Sequence, residues 1–86
     1  MKKSILIALL RTRSKSAVEF QKVLTKYGCM VKTRLGIHDG AVGNCSDTGL
    51  IILELVGAKK ETAGLARKLN AISGVSAKLV DISLKK

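Results

Sequence analysis

Two short runs are apolar on both faces of a period-2 pattern. From Ser4 to Leu10, Ile5, Ile7 and Leu9 alternate with Leu6, Ala8 and Leu10, so a strand here carries apolar side chains on both sides of its sheet and is a central strand covered twice. Leu50 to Val56 has the same property, interrupted only by Glu54. From Cys29 to Ile37 the alternation is clean, with Cys29, Val31, Thr33, Leu35 and Ile37 against Met30, Lys32, Arg34 and Gly36. That pattern predicts a strand with one wet or partner-facing side, at a sheet edge. Val75 to Leu84 supplies a fourth strand.

Between the strands the apolar period lengthens. Ser16-Ala17-Val18-Glu19 has the Ser-x-x-Glu spacing in which each side chain satisfies a backbone N–H at a helix start. Ala17, Phe20, Leu24 and Tyr27 then recur at helical spacing, Val23 widens the stripe, and Gly28 is placed to end the helix in the left-handed conformation. A second helix is predicted from about Lys59 to Ile72, with Leu65, Ala66, Leu69 and Ile72 inward and Gly74 as its stop. His38 to Thr48, rich in Gly, Asp, Asn and Ser, is a loop.

The predicted order is β-α-β-β-α-β. Sliding the chain by 46 positions places Ile5 on Ile51, Ile7 on Leu53, Leu9 on Leu55, Val23 on Leu69, Gly28 on Gly74 and Lys32 on Lys78, which reads as two β-α-β halves. Because such crossovers are right-handed, the halves combine into an α+β, ferredoxin-like sandwich. Its four-stranded antiparallel sheet has the order 4-1-3-2, with both helices on one face. The two strands that are apolar on both sides are the two this topology makes central.

Length and charge narrow the picture. An 86-residue chain with 47% hydrophobic residues fits one domain over residues 1–86. Chains this short bury only about 60–65% of their unfolded surface, which disfavours a deep, self-contained catalytic cleft. The helix-free face of a sheet with two doubly apolar strands would expose a contiguous apolar patch, including Met30 and Val80 or Ile82. Monomers seldom leave such a patch open, so the chain is expected to form a homo-oligomer, a dimer or tetramer, through that face. Two cysteines, Cys29 and Cys45, form no disulfide framework. The apolar N-terminal run stops at Arg11, too early for a secretory signal, and no run approaches the roughly 20 residues of a membrane span. A cytoplasmic location without membrane association is the expectation.

The net charge of +10 raises nucleic acid as a partner. Ferredoxin-like RNA-binding modules stack bases on aromatics of the central strands, whereas the aromatic residues here, Phe20 and Tyr27, fall on a helix. A phosphate-backbone mode through Lys15, Lys22, Lys26, Lys32 and Arg34 stays open. Residues 1–38 hold nine basic residues and one acid, against seven and five in 39–86, so the charge splits as +8 and +2.

Three sets of residues are candidates for chemistry. Arg11-Thr12-Arg13-Ser14-Lys15-Ser16 lies beyond the carboxyl end of a strand and before a helix, where ligands of open α/β layers tend to sit. Arg11, Arg13 and Ser14 are thus the candidate contacts to a small anionic ligand. His38 and Cys45 are the candidate ligands of an alternative nickel or zinc site, with Cys29 and the loop aspartates nearby in sequence, although His-x6-Cys matches no standard zinc spacing. Glu54 is the only acid in a central strand, and if its side chain points inward it needs a partner such as Arg34 or Lys78. No residue set supplies a recognisable reaction signature, and the chain is read as non-enzymatic.

Val23-Leu24-Thr25-Lys26-Tyr27-Gly28, Val31 with Arg34-Leu35-Gly36-Ile37, Gly49-Leu50-Ile51-Ile52-Leu53, and Leu69, Ile72, Gly74-Val75-Ser76 and Lys78 carry a resemblance across nearly the whole chain. It resembles the small stand-alone iron-only hydrogenase system regulators, which are similar to ACT domains and to the C-terminal domain of the nickel-responsive repressor. The resemblance implies an ACT-like regulatory or sensing module that assembles into dimers or tetramers through its sheets, and the chain as a whole is read as a transcriptional or metabolic regulator with a small-molecule effector. Amino-acid-binding ACT domains typically have a glycine in the turn after the first strand, where this sequence has Arg11-Thr12-Arg13. The nickel repressor's His-rich pattern has no counterpart, because the chain has one histidine.

Overall fold

Alternation in β1 (Lys2–Arg11) sends Leu6, Ala8 and Leu10 to one side of the sheet, where they are buried, and Ile5, Ile7 and Leu9 to the other. The computed structural model describes residues 2–11, 15–38 and 48–85. After β1 come α1 (Lys15–Lys26), a single 3-10 turn (Gly28–Met30), β2 (Val31–His38), β3 (Thr48–Leu55), α2 (Lys59–Asn70) and β4 (Val75–Ser83). The strands pair antiparallel in one sheet ordered β2-β3-β1-β4, the order expected from the sequence read from its other edge. This is the ferredoxin-like α+β fold. Among the described residues no helix is long and apolar enough to cross a membrane.

One side of the sheet holds the core. Leu6, Ala8 and Leu10 of β1, Leu53 and Leu55 of β3 and Val75 of β4 pack against Phe20 and Leu24 of α1 and Leu65 and Leu69 of α2. Val23, Tyr27, Ala66 and Ile72 fill in around them, as the helical stripes predict.

Several local expectations are corrected. Ser16 does not cap α1, which already begins at Lys15. Its hydroxyl donates instead to the carbonyl of Ser73, tying α1 to the turn before β4. Gly28 is not the left-handed stop of α1, since positive φ occurs, among the described residues, only at Gly57 and Gly74. The chain instead tightens through the 3-10 turn, so β2 starts at Val31 and not at Cys29. Met30 is buried there, its carbonyl accepting from the Val56 N–H, and so does not belong to the helix-free face. α2 ends at Asn70, two residues short of the predicted end, and Gly74 takes φ +84° at the entry to β4.

The 46-residue offset does not superpose the two halves. It sets Ile7, 39% exposed on the open face, upon Leu53, fully buried under the helices. An offset of 45 keeps the faces, carrying Leu6, Ala8 and Leu10 onto Ile51, Leu53 and Leu55 and the buried helix residues Phe20 and Leu24 onto Leu65 and Leu69. The offset of 46 is thus one residue too long, and in a period-2 element a one-residue slip exchanges the faces.

Candidate functional site

The helix-free face is built from the strand pairings. Ile37, Leu50 and Leu9 lie in one row across β2, β3 and β1. Leu35, Ile52 and Ile7 form the next row, and Ile5 and Val80 meet in the third. Leu9 and Leu35 are each 53% exposed, and Ile7, Ile37, Val56 and Ile82 are exposed as well. β2 contributes its apolar residues to this face because a bulge between Val31 and Thr33 shifts the strand by one residue. Val31 faces the core while Thr33, Leu35 and Ile37 face outward, so the single alternating set seen in the sequence is divided between two faces. Lys78 lies beside Ile7 at the β4 side of the patch.

At the other end of the patch stands Glu54. Its carboxylate accepts from the Lys3 ammonium at 2.8 Å and lies 3.8 Å from Lys32. Arg34 and Lys78, the partners expected from the sequence, are not its partners. Arg34 is on the helix side of β2, opposite Leu53, and Lys78 pairs with Ile7 rather than Ile5. The hydrogen bond from Lys3 holds the Glu54 carboxyl below the usual carboxylate range, with its partial desolvation opposing, and the same bond raises Lys3 above an ordinary lysine. The ionised pair is therefore the form present around neutral pH.

The other candidate lies on the helix side, beside the first half of α1. A cleft of about 260 Å³ opens between α1 and the β2–β3 end of the sheet. Ala17 and Phe20 line it from α1, Leu10 and Ile51 from the central strands, and Arg34 from β2. The cleft exists because Gly36 and Gly49, both at helix-side positions of the sheet, bring no side chain to fill it. Arg34 spans the gap, its guanidinium donating to Gln21 Oε1 on α1 at 2.7 Å. Sequence reading missed this site. Gly36 and Gly49 lie in separate strands, and only the pairing brings them together.

Arg11 ends β1 immediately after the cleft-lining Leu10, and its N–H donates to the Gly74 carbonyl at 3.2 Å. Arg13 and Ser14, the other predicted ligand contacts, lie outside the described residues, as does Cys45. The His38 backbone ends β2 opposite Gly49. Cys29 is exposed in the 3-10 turn. Among the described residues no group of three His, Cys, Asp or Glu side chains is placed to hold a metal ion.

No protein-family model and no curated protein matches the chain. Solved structures do match it. An uncharacterized protein from Thermotoga maritima superposes with a TM-score of 0.81 at 24% identity, over 96% of this chain and 100% of that one. The ACT domain of GTP pyrophosphokinase from Chlorobium tepidum gives 0.65 at 16% identity, over 93% and 97%. A nitrogen regulatory PII-like protein from Thiomonas intermedia, solved with ADP, AMP and bicarbonate, gives 0.65 at 14% identity, over 100% and 96%. The chain is similar in fold to ACT and PII-like proteins. At these identities the likeness speaks for the fold and leaves function to the site.

Proposed function

We propose that this protein is a non-enzymatic, cytoplasmic regulatory module that assembles through its open sheet face and senses a small anionic effector. The observation that carries the reading is the open face itself. Leu9, Leu35 and Ile82 are more than half exposed on it and Ile7 and Ile37 about two-fifths, a contiguous apolar surface of the kind that monomers seldom leave open. A second copy presents the same flat, apolar surface, and two such sheets pack face to face at native spacing. The ACT and PII-like neighbours support a sensing role, and the PII-like protein with ADP, AMP and bicarbonate makes nucleoside phosphates and small anions the first effectors to try. Arg11, which ends β1, and Arg13 and Ser14, which follow it in the sequence, are the proposed contacts. A role as a regulator of the iron-only hydrogenase system is the specific form of this reading that the sequence resemblance supports.

The test is the mass in solution and the response to anions. The wild-type chain should run as a dimer or tetramer in light scattering at micromolar concentration, and Leu9→Glu, which sets a charge on the exposed apolar face, should run as a folded monomer. Melting temperature should rise with one of AMP, ADP or bicarbonate, because a ligand of the native state stabilises it by mass action. A monomeric wild type would overturn the assembly.

A further inference from the structure

The cleft floored by Gly36 and Gly49 has a chemistry of its own. Its described walls are apolar, from Leu10, Ala17, Phe20 and Ile51, and Arg34 is the one charged residue lining it among the described residues. The guanidinium meets a neutral amide, Gln21, and among the described residues no carboxylate. One amide oxygen uses part of a five-donor fork and holds the group in place, leaving a planar cation whose remaining donors match a carboxylate. The geometry points to a binding site for a small carboxylic acid with an apolar body and no ammonium group. The carboxylate pairs with Arg34, and the hydrocarbon lies over Gly36 between α1 and the sheet.

Size and charge choose among anions. The cleft, of about 260 Å³, suits a branched or aromatic acid. An α-amino acid would place its ammonium beside the like-charged Arg34, and the described lining has no acidic side chain to pair with it. Phosphate is matched less well, because among the described residues the lining offers one guanidinium and no glycine-rich cradle of N–H groups. The glycine on β2 is the opening itself, since a Cβ built at Gly36 meets nothing within 4 Å. A side chain there fits without strain and fills the cleft.

The proposal rests on the reading of the chain as an effector-binding module and names where and what it binds. Calorimetric titration with 4-methylpentanoate, 4-methyl-2-oxopentanoate, 4-methylpentanamide, leucine and AMP tests it on the wild type, Arg34→Ala and Gly36→Val. The two acids should bind, with the amide and leucine at least tenfold weaker. Both variants should lose at least tenfold in affinity for the acids while Gly36→Val melts no lower than the wild type. Equal binding of acid and amide, or acid binding that survives Gly36→Val, overturns the inference, as does absence of binding by either acid at millimolar concentration. Binding of AMP that is indifferent to Gly36→Val would leave the sensing role standing and remove this site from it.

Discussion

Gly74 is fixed by two separate constraints. Its φ of +84° lies where side chains are strained, and a Cβ there would come 2.6 Å from the Ser16 hydroxyl oxygen. That hydroxyl is itself committed to the Ser73 carbonyl, so it cannot swing away without breaking the tie between α1 and the entry to β4. Gly74→Ala should therefore cost about 1–3 kcal/mol of stability in urea denaturation. In a Ser16→Ala background the same substitution should cost at least about 0.5 kcal/mol less, because the clash is gone and the backbone strain remains. Strict additivity of the two changes would show that the strain alone requires glycine. The positive φ was legible in the sequence as a helix stop. Its partner was not, since Ser16 reads locally as a cap and only the fold brings it against Ser73.

At the scale of elements, the two edges of the sheet are treated differently. Asn70, the last residue of α2, donates its side-chain amide to the Ala77 carbonyl at 2.8 Å and accepts from the Ala77 N–H at 2.7 Å. It occupies the outer edge of β4 as a neighbouring strand would, and an occupied edge resists strand addition. Asn70→Ala should lower stability by about 1 kcal/mol, the modest net worth of partly exposed hydrogen bonds. It should also abolish hydrogen-exchange protection of the Ala77 amide. Asn70→Asp keeps the acceptor and should keep that protection. An Ala77 amide that stays protected in Asn70→Ala would mean something else covers the edge. Strand identity and centrality were readable because each depends on a local count of apolar residues per face. The facing of β2 was not, because the bulge before Thr33 is a property of its pairing with β3 and reverses the parity of everything after it.

Over the whole molecule, two forces act on association with opposite dependence on salt. In the proposed assembly the apolar face would drive copies together, and the net charge of +10 would drive them apart. Salt screens the second and leaves the first, so the dimer or tetramer should tighten between low and high ionic strength, readable as a falling dissociation constant in analytical ultracentrifugation. A chain that used its charge to hold nucleic-acid phosphates would do the reverse with duplex DNA, weakening with a log–log slope of about −0.9 per phosphate contacted. Assembly that loosens as salt rises would show that ion pairs across copies, rather than the apolar face, hold it.

The sequence by itself determined four strands, two helices, the order of the sheet and the double apolarity of its two central strands. Each of these follows from short-range periodicity, and the linkage rules leave few ways to connect such elements. Only the tertiary structure decided what lies across from what: Glu54 against Lys3 and Lys32, Ser16 against Ser73, Arg34 against Gln21, and Gly36 near Gly49 in the cleft. Register and packing set those meetings, and a single bulge or an early 3-10 turn changes them by a residue. In a strand one residue is the difference between the core and the open face.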